Sequence, residues 1–174
     1  MDKLSQVGAW EASLTDLAKS RLLALLAPTA LLGGALASQY VGGLHPCEMC
    51  YWQRWPHEAA LALALLAYAI AKRPAASRLM VNLAGIFIAV SGAIGVFHAG
   101  VEYGWWEGLT TCSRGPSAAT TEDLLKAIVS APVVRCDEAQ WTLAGVSLAG
   151  FNAIFSFAAA IAIWALAHRS RRRG

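Results

Sequence analysis

At 174 residues the chain is long enough for one domain. Apolar residues make up 57% and charged residues 14%, and the charges are clustered so that four long stretches are almost free of them. That pattern excludes an ordinary soluble core and reads as an all-α, polytopic membrane protein. The net charge of +3 sits mostly at span ends, with no basic stripe interleaved with exposed aromatics, which excludes a nucleic-acid surface.

The first twenty residues are polar and mixed in charge, without the short apolar core and small-residue site of a cleavable signal peptide, so the first span is expected to do its own targeting. A hydrocarbon core of about 30 Å needs about 20 apolar residues. Four segments meet that length: 22–41, 51–71, 79–101 and 145–167. Pro28 and Pro56 fall inside spans, where neighbouring helices can satisfy the freed carbonyls, and neither is read as a helix end. The whole chain, 1–174, is expected to be a single integral membrane domain.

Basic residues set the orientation. Lys3, Lys19 and Arg21 precede the first span, Lys72, Arg73 and Arg78 fill the turn between the second and third, and Arg169, Arg171, Arg172 and Arg173 follow the fourth. Ten of the fourteen Lys and Arg residues therefore lie on one side, expected to be cytoplasmic together with both termini. The loops 42–50 and 102–144 are then outside. Tyr40, Tyr51, Trp52, Trp55, Tyr103, Trp105, Trp106 and Trp141 cluster near the outer span ends, where amphipathic rings are at home. In the long outer loop, Thr120-Thr121-Glu122-Asp123 reads as a helix start. Leu124, Leu125, Ile128 and Val129 follow at helical spacing before Ala131-Pro132, so a short amphipathic helix on the outer surface is expected.

All four cysteines, Cys47, Cys50, Cys112 and Cys136, fall in the outer loops or at their edge. Disulfides persist on that side of a bacterial membrane, so two disulfides are the natural state. Cys47-Glu48-Met49-Cys50 closes too small a loop to add much stability, and a strained, labile bond is the redox-active kind. A helix beginning near Met49 would favour a thiolate at Cys50, with Glu48 opposing. Cys112 and Cys136, which bracket the amphipathic helix, suit either a structural or a redox disulfide. A zinc site is disfavoured, because only one pair has knuckle spacing and the compartment favours oxidation.

Arg54 lies one turn past Cys50 on the same helix face, where it could serve a functional site or snorkel to the interface. His57 and Glu58 continue that side, Glu58 as a possible salt-bridge partner of Arg54. His98, near the outer end of the third span, is a further polar group at the interface, either simply hydrogen-bonded or part of a site.

The run Pro46-Cys47-Glu48-Met49-Cys50-Tyr51-Trp52-Gln53-Arg54, then Cys112, then Arg135-Cys136-Asp137-Glu138 with Trp141, resembles the disulfide bond formation protein B (DsbB) family over nearly the whole chain. The resemblance implies a four-transmembrane-helix bundle in the bacterial inner membrane that reoxidises a periplasmic DsbA-type thiol oxidase and reduces a quinone, ubiquinone or menaquinone. It implies that Cys112 forms the mixed disulfide with the donor, that Cys136 is its disulfide partner and then attacks Cys47, and that Cys50 faces the quinone beside Arg54. The family's histidine near the quinone falls at His98 or close to Tyr103. A DsbA-type donor is a strong oxidant, so a downhill relay needs a stronger acceptor at its end, which a lipid-soluble quinone provides. No glycine-rich nucleotide fingerprint is present and no metal is expected. The rivals are a four-helix vitamin K epoxide reductase, whose Cys-x-x-Cys sits on a later span, and a scaffold with static disulfides.

Overall fold

The computed structural model describes every residue except 1–2, 110–119, 123–124, 126–128, 130–133 and 174. Among the described residues are four long helices and one small hairpin: α1 (Lys3–Tyr40), α2 (Glu48–Ala69), α3 (Pro74–Glu102), β1 (Thr142–Leu143), β2 (Val146–Ser147) and α4 (Leu148–Arg173). α1 packs against α2 and α4, and α3 packs against the same two helices from the opposite corner. The four close into a bundle with α1 and α3 on the diagonal.

The first expected span is the later part of one 38-residue helix. At about 1.5 Å per residue α1 is about 57 Å long, nearly twice the hydrocarbon thickness, so the polar stretch before Leu22 continues the helix instead of forming a separate element. Pro28 and Pro56 both lie within unbroken helices. α3 opens with Pro74 in its first turn, where a missing N–H costs nothing, and Gly104 (φ 69°) turns the chain just beyond its end. The fourth helix begins at Leu148, three residues later than expected, because 142–147 form the hairpin. Thr142 pairs with Ser147 and Leu143 with Val146. The two-residue turn between them needs positive φ at both positions, met by Gly145 (78°) and, at the cost of some strain, by Ala144 (51°). The expected amphipathic helix falls mostly outside the described residues; Thr121, Glu122, Leu125 and Val129 are helical and exposed.

Among the described residues, three helices are long and apolar enough to cross a membrane: Leu14–Tyr40, Pro74–Glu102 and Leu148–Arg172. α2 carries Glu48, Gln53, Arg54, His57 and Glu58, which lower its hydropathy. Large apolar side chains such as Leu22, Leu65, Ile86, Phe155 and Ile161 face outward, while the interior is built from small residues. Outward leucines over a small-residue interior are the mark of a helical membrane protein, because lipid solvates leucine as well as a core does and close helix approach then decides the packing.

The interior is a two-part seam. On α3 the buried positions Ser77, Val81, Ala84, Ile88, Ser91, Gly95 and His98 alternate by four and three residues, the spacing of knobs-into-holes packing. On α2 they are Met49, Gln53, His57, Ala60, Ala64 and Ala67. At one end of the bundle this seam is apolar, with Ala24, Ala60, Ala64, Ala84, Ile88, Ala160 and Ile163 in a single cluster. At the other end the same faces present Gln53, His57, Ser91 and His98. One heptad pattern thus builds the packed half and aims the polar half at the cysteines.

Close approach of α3 to α4 depends on Gly95, where an added Cβ would lie 2.9 Å from the Ala149 carbonyl oxygen and 3.1 Å from the Ala153 nitrogen. Neither main-chain atom can swing aside. Gly95→Val is expected to cost about 1–3 kcal/mol, read as a lower thermal unfolding midpoint in detergent; an unchanged midpoint would contradict this approach.

Candidate functional site: a dithiol in the wall of a bundle cavity

Cys47 is the N-cap of α2, with extended backbone (φ −78°, ψ 175°), and its sulfur accepts the Cys50 amide at 3.4 Å. α2 therefore begins at Glu48, next to Met49, with Cys47 in the capping role. Two intervening residues at a helix start bring the second sulfur back beside the first. Both thiols are free, and the Cys47 thiol donates to Cys50 Sγ at 3.1 Å. The pair lies at the N-terminal end of α2, ahead of its apolar stretch. The hydrogen bond from Cys47 holds the Cys50 thiol below the ordinary range against the effect of its burial. The same hydrogen bond, together with burial, pushes Cys47 up. With the hydrogen bond in this direction, Cys50 is the thiol favoured to ionise.

His98 reaches the pair from α3. It is 2% exposed, with Nε2 3.5 Å from Cys47 Sγ and 3.6 Å from Glu102 Oε1. Its Nδ1 lies 2.8 Å from Gln53 Nε2. Gln53 is the hub of the polar half: Nε2 also donates to the Met49 carbonyl at 3.2 Å, and Oε1 accepts from Asn152 Nδ2 at 2.9 Å. Asn152, on α4, donates as well to the Ser91 carbonyl at 3.2 Å, and its Oδ1 faces His57 Nε2 at 2.9 Å. Ser91 Oγ donates to the Gln53 carbonyl at 2.8 Å. The sulfurs of Cys47 and Cys50 and a His98 ring nitrogen lie within 4.8 Å of one another, a spacing compatible with a metal. The amide hydrogen given to Nδ1 opposes that use, since the neutral ring then carries its own hydrogen on Nε2 and offers the sulfurs' side no lone pair.

Arg54 is half-buried and hydrogen-bonds across to α1, Nη1 to Gln39 Oε1 at 2.7 Å and Nη2 to the Ala35 carbonyl at 3.2 Å. Its guanidinium stands 5.3 Å from the Tyr51 ring centroid. Glu58 is exposed and is not among these partners, so the expected Arg54–Glu58 pair gives way to a tie between α2 and α1. The reason is reach: the guanidinium fork meets a carbonyl and an amide oxygen on the neighbouring helix.

Cys136 is fully buried and disulfide-bonded. It packs in one cluster with Cys47, Met49 and Val101, and its main chain reaches the His98 ring. The segment around it is fastened by Gln140 Nε2 donating to the His45 carbonyl at 2.6 Å and by Arg135, whose Nε lies 3.0 Å from Asp137 Oδ1 and 3.3 Å from Glu138 Oε1. Cys112, the remaining cysteine, lies outside the described residues. Tyr103 turns instead to the hairpin, donating to the Gly145 carbonyl at 3.0 Å and accepting from the Ser147 amide at 2.9 Å.

Cys47, Cys50, Arg54 and His98 all line one cavity of about 260 Å³. Its walls come from Leu31 and Gly34 of α1, Gln53 and His57 of α2, and Phe151, Asn152 and Phe155 of α4. Four of the residues singled out in the sequence thus converge, and Cys136 sits against them. Gln53, Asn152, Glu102 and Gln39 escaped the sequence reading. For Asn152 a signal existed: it is a strongly polar residue inside an otherwise apolar span, a default candidate for function.

Reduced protein alkylated with a maleimide and mapped by mass should label Cys50 before Cys47. Because the Cys50 thiol is lowered and that of Cys47 raised, the preference should persist as pH falls below the ordinary thiol range and shrink above it. Equal labelling at all pH values would contradict the shared-proton arrangement.

A family model for disulfide bond formation protein DsbB matches residues 18–166. The chain is 34% identical over 132 residues to disulfide bond formation protein B of Methylococcus capsulatus, covering 73% of this chain and 79% of that protein. It is 26% identical over 141 residues to disulfide bond formation protein B of Marinobacter nauticus, covering 76% and 81%. No solved structure matches it significantly. The family match takes in all four helices and the Cys47–Cys50 dithiol, and the chain belongs to the DsbB family of disulfide-bond-forming membrane oxidoreductases.

Proposed function

We propose that this protein reoxidises a periplasmic DsbA-type dithiol and delivers the two electrons to a membrane quinone, ubiquinone or menaquinone. The observation that carries the reading is the convergence of the Cys50 sulfur, the Arg54 guanidinium and the His98 ring on one cavity with largely apolar walls. Such a cavity fits a flat, lipid-soluble ring with polar oxygens at its edge. A quinone bound there accepts two electrons and two protons. Arg54 would offer it hydrogen-bond donors, and Cys50 would be the sulfur that faces it.

The order of exchange follows from the pairs. A thiolate of the donor attacks Cys112, making a mixed disulfide and releasing Cys136 as thiolate. Cys136 attacks Cys47, against which it is packed, and Cys50 leaves as thiolate. The donor's second thiol resolves the mixed disulfide and departs oxidised. Cys112 then regenerates its bond to Cys136, leaving Cys47 and Cys50 as the dithiol.

In this reading the chain is a single domain of four spans, α2 being the second despite its polar outer half. It lies in the bacterial inner membrane with both termini cytoplasmic, which the ten basic residues on that side support. Tyr103 serves the hairpin, and His98 is the histidine of the quinone site.

Cys112→Ser should abolish attack by the donor, whereas Cys50→Ser should still exchange with donor yet fail to reduce quinone. Stopped-flow mixing with a reduced donor, and separately with quinone, checks both; equal loss of both half-reactions in both variants would contradict the order.

Arg54→Met should raise the apparent Michaelis constant for quinone roughly tenfold or more, since a hydrogen bond to a charged group contributes about 1.5–3 kcal/mol. Arg54→Lys should fall between, keeping charge and losing the fork. Steady-state quinone reduction measures both, and an unchanged constant in Arg54→Met removes Arg54 from the site.

A further inference from the structure

The polar half of the bundle has a direction. A main-chain carbonyl can only accept, so the two carbonyls bound by Gln53 and Asn152 fix which way each amide faces. Gln53 Nε2 lies 3.2 Å from the Met49 carbonyl and Asn152 Nδ2 lies 3.2 Å from the Ser91 carbonyl. The remaining roles follow. Asn152 Oδ1 accepts, so His57 Nε2, 2.9 Å away, carries its hydrogen. Asn152 Nδ2 donates to Gln53 Oε1 at 2.9 Å. Gln53 Nε2 donates to His98 Nδ1 at 2.8 Å, leaving that nitrogen bare and placing the neutral ring's hydrogen on Nε2. Nε2 lies 3.5 Å from Cys47 Sγ, whose own hydrogen points to Cys50 Sγ at 3.1 Å.

A second set of contacts agrees. His98 Nε2 also faces Glu102 Oε1 at 3.6 Å, and the Cys136 main chain makes a hydrogen bond to the ring. The Glu102 carboxylate oxygen and the Cys47 sulfur both face Nε2 as acceptors, and a bare nitrogen between them would be repelled.

We propose that Gln53 is a positioning residue that holds His98 in its Nε2–H tautomer and so completes a one-way chain of donors, from His57 through Asn152, Gln53, His98 and Cys47, ending on the Cys50 sulfur. This rests on the reading of Cys47–Cys50 as the pair that carries the electrons. Hydrogen bonds aligned in one sense polarise one another in a low-dielectric interior. The last acceptor is a thiolate only when the pair is reduced, and a disulfide sulfur gains far less from a donor. The chain therefore favours the dithiol and makes the pair a stronger oxidant. Gln53 touches neither sulfur in this arrangement and acts through the imidazole.

The test uses the full-length reduced protein in detergent with ring-15N-labelled histidine, the His98 signals being assigned with His98→Asn. Wild type should show a protonated Nε2 and a bare Nδ1 at His98. In Gln53→Glu, which presents an acceptor to the ring in place of a donor, the proton should move to Nδ1. In uncharged Gln53→Met, the equilibrium of Cys47–Cys50 with glutathione, followed by alkylation and mass, should shift about tenfold toward the disulfide, equivalent to about 30 mV. A wild-type His98 protonated on Nδ1 overturns the proposal whether or not either variant folds. An equilibrium unchanged within twofold in a folded Gln53→Met overturns it as well. Failure of wild type to reduce quinone would sink the functional reading alone, because the ring-nitrogen result does not depend on quinone.

Discussion

A buried polar group in a membrane protein has no water to turn to, and the structure depends on how that demand is met by the side chain of Gln53. An amide left unsatisfied in an apolar interior costs several kcal/mol. Gln53 is 7% exposed and meets the demand by bonding to three helices at once. It donates to Met49 on its own helix and to His98 on α3, and it accepts from Asn152 on α4. Interhelical hydrogen bonds between membrane helices contribute about 1 kcal/mol each, a modest sum. Their larger effect is geometric, since each satisfied atom removes a freedom from its neighbour. The position of the His98 ring over the dithiol is a consequence of this satisfaction.

The dithiol depends in turn on where α2 starts. A helix N-terminus leaves amides without partners, and a residue with an acceptor side chain usually fills the cap. Here that residue is a cysteine. The same geometry that caps the helix sets the two sulfurs 3.1 Å apart and gives them unequal roles, Cys47 as donor and Cys50 as acceptor. Arg54, one turn further on, is drawn toward α1 by Gln39 and the Ala35 carbonyl, which leaves its charge beside the cavity instead of at the bundle surface. The cavity itself arises because small residues on α1, Ala30, Gly34 and Ala35, face the aromatic side chains Phe151 and Phe155 of α4.

The two halves of the bundle divide the work. Alanines bring the helices close at the end far from the cysteines, where Ser77 Oγ also ties α3 to the Ala67 carbonyl at 2.8 Å and Ser20 Oγ ties α1 to the Ile163 carbonyl at 3.0 Å. A rigid base lets the opposite end hold a cavity without collapsing. Over that end the segment carrying Cys136 is strapped to the loop before α2 by Gln140 and His45, and the bonded cysteine packs against the dithiol.

Much of this was legible in the residues alone. Apolar stretches without charge announced a helical membrane protein, because length and hydropathy are local properties that lipid reads directly. The Cys-x-x-Cys at a span end, with Arg54 one turn on, was equally local. Neither composition nor spacing could show which helix Arg54 would bond, that His98 rather than Tyr103 would meet the sulfurs, or that Gln53 and Asn152 would join them. Those facts depend on the rotation of each helix about its own axis and on the closing of α1 and α4 around α2 and α3. The heptad of small residues on α3 contained the clue, but its meaning appears only against its partners. The sequence by itself determined the membrane class, the helices and the Cys-x-x-Cys at a helix start, since each follows from neighbours along the chain. The tertiary structure alone decided which polar atoms face one another, because a hydrogen bond between residues some hundred positions apart, such as Gln53 to Asn152, is set by packing and not by spacing.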